Sequence, residues 1–296
     1  MDIFIILLNW NAAEDTIACV KQFDDWRQVR PTIWVVDNAS ADGSVEAIRR
    51  ACPHVHLIRN EANLGFAGGT NRGIEAALQA GEAPLLLLNN DATLAEADAL
   101  RLLETLQADE TIGVAGPLLF DANPDGRLLA AGGRNPVLHH HSHIRQWTPG
   151  PPVRPVEYVP GTVMLVRPEV FRQVGLLDEA YFFAAEVADL CRRAWEHGFR
   201  CVVDARARAH HRVSRSAAFR STLYPYYIIR NRFLYIRKFY RLLPRLALTA
   251  VWGTYSLALS AKLRLAGQPA TARAVWLGLV DGLQGRFGGQ NERVRD

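Results

Sequence analysis

Cysteine is scarce in this chain of 296 residues, and the four cysteines, Cys19, Cys52, Cys191 and Cys201, are scattered. No two of them stand at the close spacing of a zinc or iron–sulfur site, so the sequence does not predict a cysteine metal centre. The N-terminus also lacks a basic segment ahead of its first apolar run, which is unlike a secretion signal. We therefore expect a reduced, cytoplasmic protein.

The sequence also lacks an apolar run of the roughly 20 residues that cross a bilayer. The first run, 3–8, is short and leads into polar residues, as a strand does. A later uncharged run, 246–261, has 16 residues and lies between Arg245 and Lys262. Its basic flanks and aromatic residues suit a helix in a membrane interface, which would give peripheral attachment. A helix packed against a second subunit in a homodimer and an ordinary core helix are the alternatives.

Two phosphate-binding fingerprints are missing as well, because the chain has neither G-x-G-x-x-G after a strand nor G-K-[ST]. Glycines nevertheless cluster in 63–73, just before a predicted helix over 71–79. Such glycines suit phosphate oxygens, since the N–H groups and dipole of a helix N-terminus face the anion. For Gly68 and Gly69, close packing of two elements is the alternative.

The remaining composition is that of a globular protein, with 49% hydrophobic and 22% charged residues. Strand-like and helical patterns alternate, which predicts an α/β fold with a parallel sheet. Residues 121–155 are rich in Gly, Pro, Asn and His, so we expect a long, mobile loop there. Its tract 139–143 is interpreted as solvated loop rather than a metal cluster. The net charge is +4, and basic residues dominate from residue 224 onward.

The predicted strands cover 3–8, 32–36, 54–58, 85–88, 113–116, 118–120 and 158–166, and the predicted helices cover 15–24, 44–51, 71–79, 94–107, 168–174, 186–197, 224–267 and 271–283.

Four leucines, 85–88, run into Asn89, Asn90 and Asp91. This pattern predicts a central strand that ends in a carboxylate at the ligand-binding edge of the sheet. The alternative is that Asp91 caps the following helix, predicted to begin near Leu94.

Asp37 ends the second predicted strand, while Asn9 and Asn11 follow the first. A carboxylate at this position could accept the N3–H of a pyrimidine base, with the two asparagines beside it. The alternative is that Asp37 and Ser44 only organise turns and caps.

Five motifs in chain order resemble the family 2 glycosyltransferases, and within that family the rhamnosyltransferase-like branch. They are Asn9–Asn11, Val35–Ser40, Asn63–Gly73, Leu87–Asp91, and Gly161-Thr162 together with Leu177–Cys191. The resemblance covers residues 3–235. It implies the glycosyltransferase A fold, a mostly parallel central sheet flanked by helices, with residues 1–223 as the catalytic domain and 224–296 as a helical C-terminal extension.

The resemblance also implies the reaction. A sugar, rhamnose or another hexose, would pass with inversion from a UDP- or dTDP-sugar donor to a glycan or lipid-linked acceptor in cell-surface polysaccharide synthesis. No nucleic-acid partner is expected. A non-catalytic protein of the same fold that binds nucleotide-sugars or glycans is the alternative.

The family motifs further imply which residues form the site. The residues expected to bind nucleotide are Asn9, Asn11, Asp37, Asn63, Asn71, Arg72 and Asn90. A divalent metal, Mn²⁺ or Mg²⁺, is expected on Asp91 with His211. His210 is the alternative to His211, and the arginines near them, Arg212 and Arg215, could hold phosphate. Asn89 replaces the first acid of the family's D-x-D-type motif, yet one carboxylate suffices when substrate phosphates and water complete the coordination.

The catalytic base departs from the family pattern, which reads Phe-Glu-Asp-x-Asp-Leu-Cys. Here Val187 stands where the usual catalytic Asp would be. Glu186 is therefore the predicted base and Asp189 its helper, because residues three apart share a helix face. The alternative is that both acids only complement the N-terminus of the helix.

Overall fold

The computed structural model describes residues 1–123, 126–212 and 221–295, which form two compact units. The first unit comprises Met1–Asn135, His141–Leu177 and Val187–Ser214, and the second comprises Pro136–His140, Asp178–Glu186 and Arg215–Asp296. The boundary predicted after residue 223 therefore falls inside the second unit, which also takes two short segments from earlier in the chain.

A mixed, mostly parallel sheet forms the centre of the first unit. Its strands are β1 (Asp2–Asn9), β2 (Arg30–Asp37), β3 (His56–Arg59), β4 (Leu85–Asn89), β5 (Ala92–Leu94), β6 (Ile112–Asp121), β7 (Leu128–Ala130), β8 (Val153–Pro155), β9 (Val163–Val166) and β10 (Arg200–His211). Their order is β3-β2-β1-β4-β9-β6-β10-β5, with β7 on β6 and β8 on β10. The predicted α/β fold is confirmed.

Strand direction determines where the polar strand ends meet. β1 is parallel to β2 and β4, and β6 is parallel to β10. β9 is antiparallel to both β4 and β6, so those two strands run the same way. The carboxyl ends of β1, β2, β4 and β10 consequently lie along one edge, where open α/β sheets bind ligands.

The leucine run 85–88 forms the middle of this sheet as predicted. All four side chains are buried, which is what a continuous apolar run achieves in a strand covered on both faces. Helices α1 (Ala13–Lys21), α2 (Ser44–Ala51), α3 (Gly65–Ala80), α4 (Glu96–Ala108), α5 (Pro168–Val174) and α6 (Glu186–Glu196) accompany the strands. The bounds predicted for α2 and α5 are confirmed.

The prediction of a glycine loop ahead of α3 is wrong, because the helix begins at Gly65 rather than at residue 71. The glycines lie inside its first turns. A Cβ atom on Gly69 would stand 2.5 Å from Cδ1 of Leu8, and one on Gly73 would stand 2.5 Å from Cγ2 of Ile6. These two glycines therefore let α3 pack closely on β1, which is the packing alternative.

Four further differences concern segments near the candidate site. β10 was not predicted as a strand, and β5 occupies residues where a helix was expected to start. The N-cap residue of α4 is Ala95, so Asp91 does not cap that helix. The loop predicted over 121–155 contains β7 and β8, both paired with the sheet.

The second unit is helical. It contains α7 (Leu223–Phe239), α8 (Leu242–Leu265), α9 (Pro269–Gln284), α10 (Asn291–Arg295) and a short 3₁₀ helix, Glu179–Tyr181. A Cβ atom on Gly278 of α9 would lie 2.7 Å from the carbonyl oxygen of Tyr226, so α9 packs tightly on α7. The helix predicted over 224–267 is interrupted at Tyr240, whose backbone is extended. Across the described residues, no helix combines the length and apolarity needed to span a bilayer.

Candidate active site

Two predicted site residues meet where β1 and β2 end. Asn9 and Asp37 are partners in the register of the two strands, and both side chains are fully buried. Nδ2 of Asn9 donates to Oδ1 of Asp37 at 2.8 Å and to Oγ of Ser40 at 3.1 Å. The strand ends are therefore fixed to each other and to the turn that follows β2.

Thr16 of α1 extends this network toward β4. Its hydroxyl donates to Oδ1 of Asn9 at 2.8 Å and accepts from Nδ2 of Asn90 at 2.9 Å. The predicted residues Asn9, Asp37 and Asn90 thus belong to one hydrogen-bond chain. The sequence analysis missed Thr16, because a single threonine in a helix carries no motif signal.

The carboxylate of Asp37 is buried and already hydrogen-bonded within the protein, and its role in binding a base stays a prediction. Both of its oxygens accept hydrogen bonds, Oδ1 from Asn9 and Oδ2 from the backbone N–H of Ser40 at 3.0 Å. These bonds agree with the alternative that Asp37 organises the turn. An open cleft lies beside it, lined by Ala39, Ser40, Arg59, Asn60 and Glu61. Ser40 and Arg59 are thus candidate binding groups that the sequence did not reveal.

Asp91 and His211 come together because β5 pairs antiparallel with β10. His211 is the register partner of Ala92, the residue after Asp91. Oδ1 of Asp91 lies 3.0 Å from Nε2 of His211, and each side chain is 18% exposed. His210 points to the other face of the strand, where its ring lies 6.0 Å from that of Phe120. Of the two histidines, His211 is therefore the one beside Asp91.

The Asp91–His211 pair has donor groups that fit a divalent metal. Oδ1 of Asp91 is buried and makes no hydrogen bond to any residue that the structure describes. Carboxylate oxygen and imidazole nitrogen both ligate Mn²⁺-type ions. In the described ranges no group of three or more His, Cys, Asp or Glu side chains is arranged to hold a metal, the tract 139–143 included. Substrate phosphates and water would have to supply the other ligands.

The nearby arginines differ in what the structure says of them. Arg212 forms an ion pair with Asp15 at 3.1 Å, while Arg215 lies outside the described residues.

Asn63 supports the start of α3, since its Oδ1 accepts from the N–H of Gly65 at 2.9 Å. Asn11 is exposed with a left-handed backbone, φ 51°, and its Oδ1 accepts from the N–H of Ala41.

The two remaining predicted nucleotide contacts belong to α3. Asn71 is buried, and its side-chain amide both donates to and accepts from the backbone of Leu177, at 2.9 and 3.1 Å. Arg72 is half-exposed and pairs with Glu75 one turn along the helix. These contacts are to other residues of the protein, and a role of Asn71 and Arg72 in nucleotide binding stays a prediction.

The candidate base region begins at Glu186, the first residue of α6, which is 5% exposed. Val187, in place of the family's acid, packs against Gly161, where a Cβ atom would stand 2.8 Å from Cγ1 of Val187. Asp189 is fully buried, and its Oδ1 accepts from Nε of Arg193 at 2.6 Å. Arg193 also donates to the carbonyl oxygen of Leu176, so Asp189 belongs to a buried structural ion pair.

The loop before Glu186 has an unusual backbone. Phe182, Ala184 and Ala185 have φ values of 61°, 70° and 74°, in the left-handed region that non-glycine residues rarely occupy. Asn231 of α7 holds this loop, because its Nδ2 donates to the carbonyl oxygens of Tyr181, Phe183 and Ala184 at 3.1, 2.7 and 2.6 Å.

Arg230, next to Asn231, is fully buried and also donates to the loop, at 2.7 Å from the carbonyl oxygen of Tyr181. Burial lowers the pKa of its guanidinium group from the ordinary value. We call Arg230 and Asn231 the carbonyl clamp.

Comparison with known proteins supports the same picture. The chain is 28% identical over 249 residues to the low-salt glycan biosynthesis hexosyltransferase Agl10 of Haloferax volcanii, an alignment that covers 79% of this chain and 75% of that protein. It is 31% identical over 209 residues to the N-acetylglucosaminyl-diphospho-decaprenol L-rhamnosyltransferase of Mycobacterium tuberculosis, covering 62% and 67%.

A solved structure with a similar fold is the mannosyltransferase PcManGT from Pyrobaculum calidifontis in complex with GDP-Man and Mn²⁺. Its TM-score is 0.58 at 16% identity, and the superposition covers 96% of this chain and 87% of that one. The match confirms the glycosyltransferase A fold. The family model described as glycosyl transferase family 2 matches residues 4–152, half of the chain. This chain is therefore a glycosyltransferase enzyme that belongs to glycosyl transferase family 2.

Proposed function

We propose that the protein is an inverting, metal-dependent glycosyltransferase with a UDP- or dTDP-sugar donor, the sugar being rhamnose or another hexose. The acceptor is a glycan or a lipid-linked sugar in cell-surface polysaccharide synthesis. The observation that carries the proposal is the Asp91–His211 pair at the carboxyl edge of the sheet, beside the network of Asn9, Asp37 and Asn90.

Each part of this site has a chemical task. The turn held by Asn9 and Asp37 presents Ser40 to the open cleft, where a base and ribose would bind. Asp91 and His211 would hold Mn²⁺ or Mg²⁺, which when bound neutralises charge on a leaving diphosphate. A buried carboxylate whose Oδ1 lacks a hydrogen bond from the described residues supports that assignment.

Glu186 is the proposed general base. The acceptor hydroxyl oxygen bonds to the anomeric carbon, the bond from that carbon to the diphosphate oxygen breaks, and the hydroxyl proton passes to the Glu186 carboxylate. Attack from the face opposite the leaving group inverts the configuration. Asp189, whose carboxylate accepts a hydrogen bond from Arg193, would help the base only by holding α6 in place.

In this proposal the enzyme works in the cytoplasm at the inner face of the cell membrane. The support is the name of the mycobacterial relative, whose acceptor sugar is carried on diphospho-decaprenol. A homodimer stays a prediction.

The test is release of nucleoside diphosphate from UDP-, dTDP- and GDP-sugars with Mn²⁺ or Mg²⁺, with candidate acceptors supplied. Asp91→Asn keeps the size of the side chain and removes a charge. Its matched control is Asp25→Asn, because Asp25 is 99% exposed. We expect Asp91→Asn to lose at least about 100-fold of metal-dependent turnover, and the control to change it less than about twofold.

Glu186→Gln tests the base, with exposed Glu169→Gln of α5 as its control. A lost general base lowers kcat by about 10²- to 10⁴-fold, while KM for the donor should hardly change. Full turnover in Glu186→Gln would refute its role as the base. Nucleotide binding without turnover in the wild type, whatever the acceptor, would refute the proposed reaction.

A further inference from the structure

Helix α8 is mostly exposed, which argues against the core-helix alternative. Of its 24 residues, Trp252 and Ser256 are the buried ones. Nε1 of Trp252 donates to the carbonyl oxygen of Val137 at 2.9 Å, and this bond fixes that side of the helix to its own unit. A second part of its circumference packs on α9, where Oγ of Ser260 donates to the carbonyl oxygen of Ala272 at 2.9 Å, and the rest of α8 faces outward.

The outward side carries no charge over four helical turns. Exposed residues recur there at spacings of three and four, which places them on one face. They are Leu246, Ala247, Ala250, Val251, Thr254, Leu257, Ala258 and Ala261. Leu246 is 58%, Val251 61% and Leu257 49% exposed. We call these eight residues the apolar face. Contiguous exposed apolar surface of this kind marks an interaction site.

Cations stand at both ends of the apolar face. Arg241 and Arg245 precede it, and Lys262 and Arg264 follow it, all exposed. The sequence has no Asp or Glu from residue 205 to residue 280, whereas it has fourteen Arg and Lys in that range. The partner that fits such a surface is therefore both apolar and anionic.

A second copy of the chain does not match this charge pattern. In a symmetric pair of antiparallel α8 helices, the basic ends would face each other across the interface. Arg241 and Arg245 of one copy would lie near Lys262 and Arg264 of the other, with no carboxylate on either helix to compensate. An anionic lipid surface has no such repulsion.

We propose that α8 lies in the surface of an anionic lipid bilayer. The apolar face enters the boundary between headgroups and acyl chains, while Lys262 and Arg264, which border this face at its C-terminal end, contact lipid phosphates. The helix is about 36 Å long at 1.5 Å per residue and would lie parallel to the membrane plane. This inference stands apart from the proposed reaction, because it uses neither the donor site nor the acceptor.

The test is co-sedimentation of the full chain with vesicles of phosphatidylcholine alone and with vesicles that also contain phosphatidylglycerol. Binding should appear on the anionic vesicles and weaken as salt is added. Lys262→Gln combined with Arg264→Gln should weaken it about 20- to 30-fold, since each cation near an anionic surface contributes about fivefold.

The apolar contribution is tested with Leu246→Gln, Val251→Gln and Leu257→Gln combined. This variant should bind at least about tenfold more weakly, because three apolar side chains no longer enter the lipid. Leu138→Gln is the matched control, since Leu138 is 58% exposed but lies outside α8, and it should bind like the wild type. Circular dichroism verifies that each variant is folded.

Two results would overturn the inference. One is vesicle binding that the triple variant leaves unchanged. The other is a dimer in analytical ultracentrifugation that the triple variant abolishes, with no vesicle binding by the wild type, which would assign the apolar face to a second copy.

Discussion

Replacing Asn231 should destabilise the loop before Glu186. The side-chain amide of Asn231 is buried and donates to the carbonyl oxygens of Tyr181, Phe183 and Ala184. Asn231→Ala removes this donor: the carbonyl oxygen of Tyr181 keeps its bond from Arg230, whereas those of Phe183 and Ala184 lose the bond from Asn231. An unsatisfied buried group costs about 1–3 kcal/mol, and an amide has two N–H bonds, so the free energy of unfolding should fall by about 2–4 kcal/mol.

A loss of that size lowers the melting temperature by roughly 5–12 °C in a domain of this size. Thermal unfolding followed by circular dichroism measures it. Asn123→Ala is the control, because exposed Asn123 donates only to Asp121 and its replacement should cost less than about 0.5 kcal/mol.

The same substitution should act on the reaction more than on donor binding. Phe182, Ala184 and Ala185 keep left-handed backbones that cost about 1–2 kcal/mol each, so they relax when the clamp is lost. Glu186 then loses its fixed position, and kcat should fall while KM for the donor stays near the wild-type value. A variant whose melting temperature stays within about 2 °C of wild type would refute the reasoning.

Three smaller predictions follow from backbone and burial. Ala185→Gly relieves a φ of 74° and should be close to neutral in a thermal melt, whereas Ala47→Gly in α2 should cost about 1 kcal/mol. In the same assay Gly73→Ala should destabilise by about 1–3 kcal/mol, because the new methyl group meets β1, and Gly253→Ala in open space on α8 should not.

The third concerns pH: local desolvation, together with the charge of Arg145, lowers the pKa of His143 below its ordinary 6.5. The unfolded chain therefore binds more protons, and stability falls as pH drops below 6.5, by a small amount because solvent screens this exposed side chain. His143→Gln should flatten the dependence of melting temperature on pH between about 5 and 7.

The sheet was predictable where a pattern has one physical explanation. The run 85–88 is apolar at every position and only four residues long. A run this short and this apolar is typical of a strand that is buried on both faces. β10 was predictable too, but the signal was overlooked: residues 205–209 alternate Ala and Arg, and Ala207 and Ala209 are buried while Arg206 and Arg208 are not. The start of α3 was predicted wrongly because glycine disfavours a helix interior. Here the glycines lie within the helix and leave room for β1 to pack against it.

In the site, too, the features set by strand geometry could be predicted from the sequence, and those set by side-chain packing could not. Neighbouring parallel strands end at the same edge of a sheet, so the motifs predict that Asn9 and Asp37 lie side by side. The register of β1 and β2 confirms this. Burial does not follow from a motif: the sequence predicts a carboxylate at the end of β2, and only the structure shows that Asp37 is fully buried.

Val187 shows most clearly what side-chain packing adds to the sequence. The sequence shows only that an acid is missing, whereas the structure shows a buried side chain packed against Gly161, an apolar contact in which a carboxylate would lose its hydration. In the proposed mechanism the base is therefore the preceding residue, Glu186, and the carbonyl clamp on the loop before it is a physical reason for that residue to hold a fixed place.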